Sequence, residues 1–281
     1  TEFGMFISID RGAHWVELRS NLPTLPINDF VVHPRDNDLV LGSHGRGVWI
    51  LDSINAIRGL SMETVASASA LFDVRPARMY RRSRTTAAVG DTQFRGQNPP
   101  NGAIIDYWLH DGFEQPDEEA EGEESEAPSP VSITIHDASG NVIRTLEGKT
   151  DRGMNRVVWN LRHEFLPRAH NVERPPDPAR ADRGRGGGFG FGGGRPAGPL
   201  VVPGTYTVRL TVEGETHETR VEVSEDPRIQ VAADVRSAWT EKQLELGELY
   251  TRINALAGEV IEHEESLEEA SEAPVDAQRL R

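Results

Sequence analysis

The stretch Ser8-Ile9-Asp10-Arg11-Gly12-Ala13-His14-Trp15 constrains this chain more than any other, because its spacing, S-x-D-x-G-x-x-W, describes a tight hairpin. Ser8 and Asp10 lie two apart and share one face of a strand, so the Asp10 carboxylate can accept backbone N–H bonds inside the turn. Gly12 supplies the positive φ that the turn needs, and Trp15 opens the return strand with a large apolar face. A carboxylate bonded in this way has its pKa lowered, the wrong direction for a general acid at neutral pH. The stretch therefore reads as a self-locking hairpin rather than an active site. With the ring buried beneath that hairpin, Trp15→Ala costs roughly 3–5 kcal/mol.

The strand pattern continues. Residues 29–33 and 38–42 flank a turn at Pro34-Arg35-Asp36-Asn37, and a Gly-rich turn, His44-Gly45-Arg46-Gly47, leads into Val48-Trp49-Ile50-Leu51-Asp52. Asp52 echoes Asp10 at a spacing of 42 residues, with no Gly or Trp after it. That interval is the length of one propeller blade, about 40–45 residues. Residues 3–18 then supply two strands of one blade and residues 28–52 three inner strands of the next, a piece too small to close a propeller alone. Residues 53–60 suit a short helix capped by Ser53.

Beyond an extended connector at 70–77 and a basic cluster from Arg78 to Arg84, strongly β-forming runs recur at Ala103–Leu109, 131–136, 142–146, 155–161, 203–212 and 216–223. Short strands with turn signals at such intervals predict a β-sandwich. Two insertions interrupt it and are expected to be disordered: an acidic run within 114–130 and a Gly/Arg-rich run within 167–198. From Asp234 onward, Trp239, Leu246, Ile253, Val260 and Leu267 recur every seventh residue, with Leu249 and Leu256 between them. This predicts a long amphipathic helix that docks on the sandwich or on an antiparallel helix. Lys242 and His263 interrupt its intermediate seam, and Pro274 ends it.

On these residues the chain resembles the Asp-box, or bacterial neuraminidase, repeat proteins of the sortilin-like propeller group, and the Gly96-Gln97-Asn98-Pro99-Pro100 lead-in is similar to the segment downstream of their propellers. The order Asp137-Ala138-Ser139-Gly140-Asn141, Asn155 to Arg162, then Pro203-Gly204-Thr205-Tyr206 resembles the immunoglobulin-like domains of flagellar-hook-cap type. The resemblance implies a mainly β fold: incomplete β-propeller blades at 1–52, a linker and connector at 53–95, an immunoglobulin-like β-sandwich at 96–227 and a C-terminal amphipathic helix in a tail at 228–281. It implies an exported protein, periplasmic, cell-surface or extracellular, of which this is the C-terminal part. Its first partner is the set of upstream blades of the same chain, and a protein, peptide or glycan is the ligand to expect.

The totals narrow the chemistry. A net charge of −15 argues against a general nucleic-acid or anionic-membrane binder. Zero cysteines exclude a disulfide framework, a thiol nucleophile and cysteine-ligated zinc. No apolar run reaches the ~18–20 residues of a membrane span. His163-Glu164 opens like a zinc-protease helix, but Pro167 stands where the second His belongs. The reading therefore carries no metal, no cofactor and no catalytic residue. Ser8, Asp10, Gly12 and Trp15 are structural, and Asp52 and Asp106 sit at or within strands with nothing to pair them. The ligand-binding candidates are His44 and Arg46, because a Gly-flanked loop at a propeller strand junction can face the axial channel and Arg46 offers a planar fork for a carboxylate or phosphate. The Arg78 to Arg84 cluster reads as a solvated linker that docks on acidic surface, with a dedicated anion site as the alternative. Two functions stay open: a non-catalytic scaffold or recognition segment, or part of a xyloglucanase-type glycoside hydrolase whose catalytic carboxylates lie upstream.

Overall fold

Ser8 to Trp15 does fold into a hairpin. In the computed structural model, which describes residues 1–19, 21–80, 96, 98–113, 129–164 and 198–272, β1 (Phe6–Ile7) and β2 (Val16–Glu17) pair antiparallel with Phe6 opposite Glu17. Arg11 and Gly12 turn the chain with φ of 62° and 95°. The described residues form two units, residues 1–161 with 203–230 and residues 162–202 with 231–281.

In the first unit the hairpin leads into an antiparallel meander of β3 (Ile27–Val32), β4 (Leu39–Ser43) and β5 (Val48–Leu51), in that order across the sheet. Register fixes its faces. Phe30 lies opposite Leu41 and Trp49, and Val32 opposite Leu39 and Leu51, which places all six on one face. Val31, Val40 and Ile50 lie opposite one another on the other face, together with Val48. The first face contributes Leu39 and Leu41 to a core shared with Leu25, Ile27 and Ile54, against which Met5, Leu18 and Leu22 also pack. Hairpin and meander are thus held by one apolar cluster.

Two short helices follow, α1 (Asn55–Gly59) and α2 (Met62–Ala66). Ser53 does not cap α1: the N-cap is Ile54, without a side-chain bond. Ser53 is instead buried at φ 53°, its N–H donating to Asp38 Oδ1 at 2.8 Å. A left-handed residue fixed from a distant turn has no capping geometry left to offer. The true cap is Ser61 on α2, whose hydroxyl oxygen accepts the Thr64 N–H at 3.1 Å.

The rest of this unit is two sheets. β10 (Val142–Glu147), β9 (Val131–His136), β12 (Gly204–Val212), β13 (Glu215–Glu225) and β7 (Ala77–Met79) form one, in that spatial order. β11 (Gly153–Trp159), β8 (Ala103–Leu109) and β6 (Ser69–Leu71) form the other. All pairs are antiparallel except β7 on β13. Alternation decides what is buried, with Val131, Ile133 and Ile135 from β9 and Tyr206, Val208, Leu210 and Val212 from β12 turned inward. The sheets meet where the Trp159 and Tyr206 rings pack edge to face, centroids 5.3 Å apart. The fold is mainly β, with a curled, half-barrel sheet. The stretch 53–95, expected as a connector, supplies β6 and β7, one strand to each sheet. Most of the acidic and Gly/Arg-rich insertions, Arg81 to Arg84 and the chain after Glu272 lie outside the described residues.

In the second unit Arg162 bridges to Leu200 and donates from Nη1 to the Gly198 carbonyl at 2.8 Å. α3 (Ala233–Glu272) is a single helix of 40 residues. Its Thr240 is buried and donates to the Leu200 carbonyl at 3.1 Å, while Trp239, Leu246, Leu249, Ile253, Leu256 and Val260 are exposed.

Candidate functional site

Asp10 is fully engaged. Its Oδ1 accepts the Ser8 hydroxyl at 2.8 Å and the His14 N–H at 2.9 Å, and Oδ2 lies 2.5 Å from His14 Nδ1. The Ser8 oxygen in turn accepts the Gly12 N–H at 2.7 Å. The backbone bond from His14, then the His14 and Ser8 side chains, hold the Asp10 carboxyl well below the usual carboxylate range. A group so placed keeps the turn and has no proton to give at neutral pH. Trp15 departs from expectation. Its ring is 62 % exposed, lying over Gly12 with Nε1 donating to the Gly12 carbonyl at 3.1 Å.

His44 and Arg46 occupy the exposed turn between β4 and β5, where Gly45 and Gly47 have φ of 75° and 74°. The His44 N–H donates to the Pro26 carbonyl and the Arg46 carbonyl accepts from Trp49 Nε1, so their backbones serve the turn. Their side chains stand at the surface and are not brought together with any other candidate.

Asp52 and Asp106 do acquire a common partner. Arg156 Nε and Nη2 bond both oxygens of Asp106 at 2.6 and 3.0 Å, while Nη1 and Nη2 donate to the Asp52 and Ser53 carbonyls at 2.8 and 2.9 Å. Burial, with a smaller contribution from the Asp38 charge, raises the Asp52 carboxyl above its ordinary range. This is an ion-pair clamp between the meander and β8–β11, with four of the five guanidinium N–H donors spent on structure.

Among the described residues, arginines gather at a cleft of about 730 Å³ in the first unit, bordered by Arg35, Arg75, Arg78, Arg228, Tyr80 and Asp36. Prolines 76, 99, 100 and 227 form its rigid walls, and Asn98, Asn101 and Gly102 close one side. The β3–β4 turn brings in Arg35, the edge strand β7 brings in Arg78, and the segment after β13 brings in Arg228. The arginines differ in what they already hold. Arg228 forks onto Asp226, which is fully buried, at 2.8 and 2.5 Å. Arg75 bonds Asp38 Oδ1 at 3.1 Å and the Asp36 carbonyl. Arg35 pairs with Asp36 at the surface, lowering the Asp36 carboxyl. Arg78 reaches only the Tyr80 hydroxyl, at 3.4 Å, and has no carboxylate partner among the described residues.

Of these arginines the sequence flagged Arg78 alone. A usable signal was present in Pro34-Arg35, Arg75-Pro76 and Pro227-Arg228, where a proline fixes the backbone beside each guanidinium. Among the described residues no three His, Asp or Glu side chains gather as metal ligands would, and no helix is long and apolar enough to cross a membrane. No family model, curated protein or solved structure matches this chain.

Proposed function

We propose that this chain is a non-catalytic scaffold and recognition segment of an exported Asp-box propeller protein: the closing blades, an immunoglobulin-like sandwich and a helical tail. One observation carries the reading. The meander β3–β5 is apolar on both faces, yet only one has a core packed against it, over β4 and β5. Leu39, Leu41, Trp49 and Leu51 share the face that builds the core, with Phe30 of that face exposed at its β3 edge, while Val31, Val48 and Ile50 on the other are 57 %, 68 % and 60 % exposed. A sheet buried on one side alternates apolar with polar residues; one apolar on both sides is built to lie between two layers, as a blade lies between blades. Phe6, Trp15 and Phe30 similarly border an open apolar hollow of about 670 Å³ beside the hairpin. Upstream blades are the occupant that fits both surfaces. The engaged state of Asp10 supports a structural role for the motif over a hydrolytic one.

The test places Val31→Lys and Ile50→Lys in this chain and in a longer chain extended N-terminally by the upstream blades that the reading calls for. The variants are near neutral here, within about 0.5 kcal/mol as for exposed positions, and strongly destabilising in the longer chain. Equal, small effects in both would sink the blade reading. Reducing sugar released from plant or microbial polysaccharides by the longer chain would assign hydrolysis instead.

A further inference from the structure

We propose that the arginine-lined cleft binds the free C-terminal carboxylate of a peptide, with the Arg78 guanidinium as its fork and the Tyr80 hydroxyl as a second donor. The inference deepens the recognition reading above and rests on it.

The inference follows from which groups are spent and which are not. Arg228 and Arg75 are held by Asp226 and Asp38 and so are already committed. Arg78 lies at the exposed central position of edge strand β7, and its weak contact to Tyr80 leaves most of its five N–H donors for a ligand. Arg35 is tied to Asp36 by a solvent-exposed pair that an incoming anion can displace. Arg35, Arg75 and Arg228 are paired with Asp36, Asp38 and Asp226, so the cleft keeps one cation in excess, Arg78, in a chain whose net charge is −15. An anion is thereby drawn to this place rather than to the surface at large.

The shape of the donor set selects a carboxylate. A guanidinium presents a planar fork that matches the two oxygens of a carboxylate. Phosphate sites add a cradle of backbone N–H groups, and four of the lining residues here are prolines, which have none. Asn98 and Asn101 have side-chain amides without partners among the described residues, and each offers a donor and an acceptor, the complement of a peptide unit. The volume lies inside the roughly 300–1,000 Å³ of ligand pockets and accommodates a few residues.

The probe is tri-alanine with a free carboxylate, titrated calorimetrically into the intact chain, alongside tri-alanine amide, inorganic phosphate and glucuronate. Saturable binding of the free acid is expected, weakened about tenfold or more in the amide and by Arg78→Gln, which removes a charge-assisted bond. Arg220→Gln, on β13 away from this cleft, leaves it unchanged, and Arg78→Gln leaves the melting temperature unchanged because the side chain is exposed. Absence of saturable binding, equal binding of acid and amide, indifference to Arg78→Gln, or tighter binding of phosphate or glucuronate would each overturn the assignment. None of these bears on the blade reading, which stands or falls on Val31 and Ile50.

Discussion

Arg156 on β11 closes a two-pronged ion pair on Asp106, its cross-strand partner on β8, and the same guanidinium ties down the end of the meander through the carbonyls of Asp52 and Ser53. Asp106 is 4 % exposed, so its charge has been taken out of water and depends on Arg156 for compensation. Removing the arginine leaves a buried carboxylate and two carbonyls short of donors. Arg156→Ala is expected to destabilise by about 3–5 kcal/mol. The double variant Arg156→Met with Asp106→Leu is expected to recover much of that loss, because an apolar pair of similar size needs no desolvation. Urea unfolding of the three proteins checks it, and a single-variant loss under about 1 kcal/mol would mean that the clamp holds nothing.

The hairpin carries its own pH signature. Asp10 titrates below its ordinary value in the fold, so its stabilising contribution is complete above the unfolded value of 3.8 and is lost as pH falls through the depressed folded value. In Asp10→Asn that dependence is absent. The melting temperatures of native chain and variant are expected to differ most near neutrality and to converge as pH drops from about 4 toward about 2. A gap that stays constant over that range would show that the carboxylate is not what the turn uses.

Trp15 calls for a smaller number than the motif implied. With its ring 62 % exposed and held by one bond to the Gly12 carbonyl, Trp15→Ala is expected to cost about 1 kcal/mol in this chain rather than 3–5. The blade reading proposed above expects a higher cost in a chain extended N-terminally by a blade that covers the ring. Denaturation of both lengths with and without the substitution measures the difference directly.

What was legible in the sequence is what local residues decide. The β1–β2 hairpin closes through partners two to four residues apart. The β9–β10 turn was readable for the same reason, since Asp137 Oδ1 accepts the N–H groups of Ser139 and Asn141. The β12–β13 turn needs only Glu213 and Gly214 at φ of 47° and 92°. The parallel pairing of β7 with β13 joins residues more than 140 apart, and Arg156 reaches more than 100 residues back to Asp52, distances at which no turn or period leaves a trace. The cleft was hidden likewise, because its arginines come from separate turns and edges that only the folded sheets bring together. The exposure of Trp15 was illegible for a further reason: a motif specifies its own bend, not what lies above it.

Gly102 marks where the two-sheet body tolerates least. It has φ of 146°, and a methyl group on its Cα would sit 2.1 Å from the Trp159 carbonyl oxygen, at the end of β8 where Ala103 pairs with Trp159. Two penalties therefore coincide, an unfavourable backbone region for any side chain and a collision with main chain that cannot rotate away. Relief would require β8 and β11 to part, and Trp159 is fully buried against Tyr206. Gly102→Ala is expected to cost about 3 kcal/mol or more. Gly140→Ala, at φ 85° but with open space around it, isolates the backbone penalty and is expected to cost about 1–2 kcal/mol. Chemical denaturation of the two variants side by side separates the effects, and equal losses would show that β8 and β11 yield at that end.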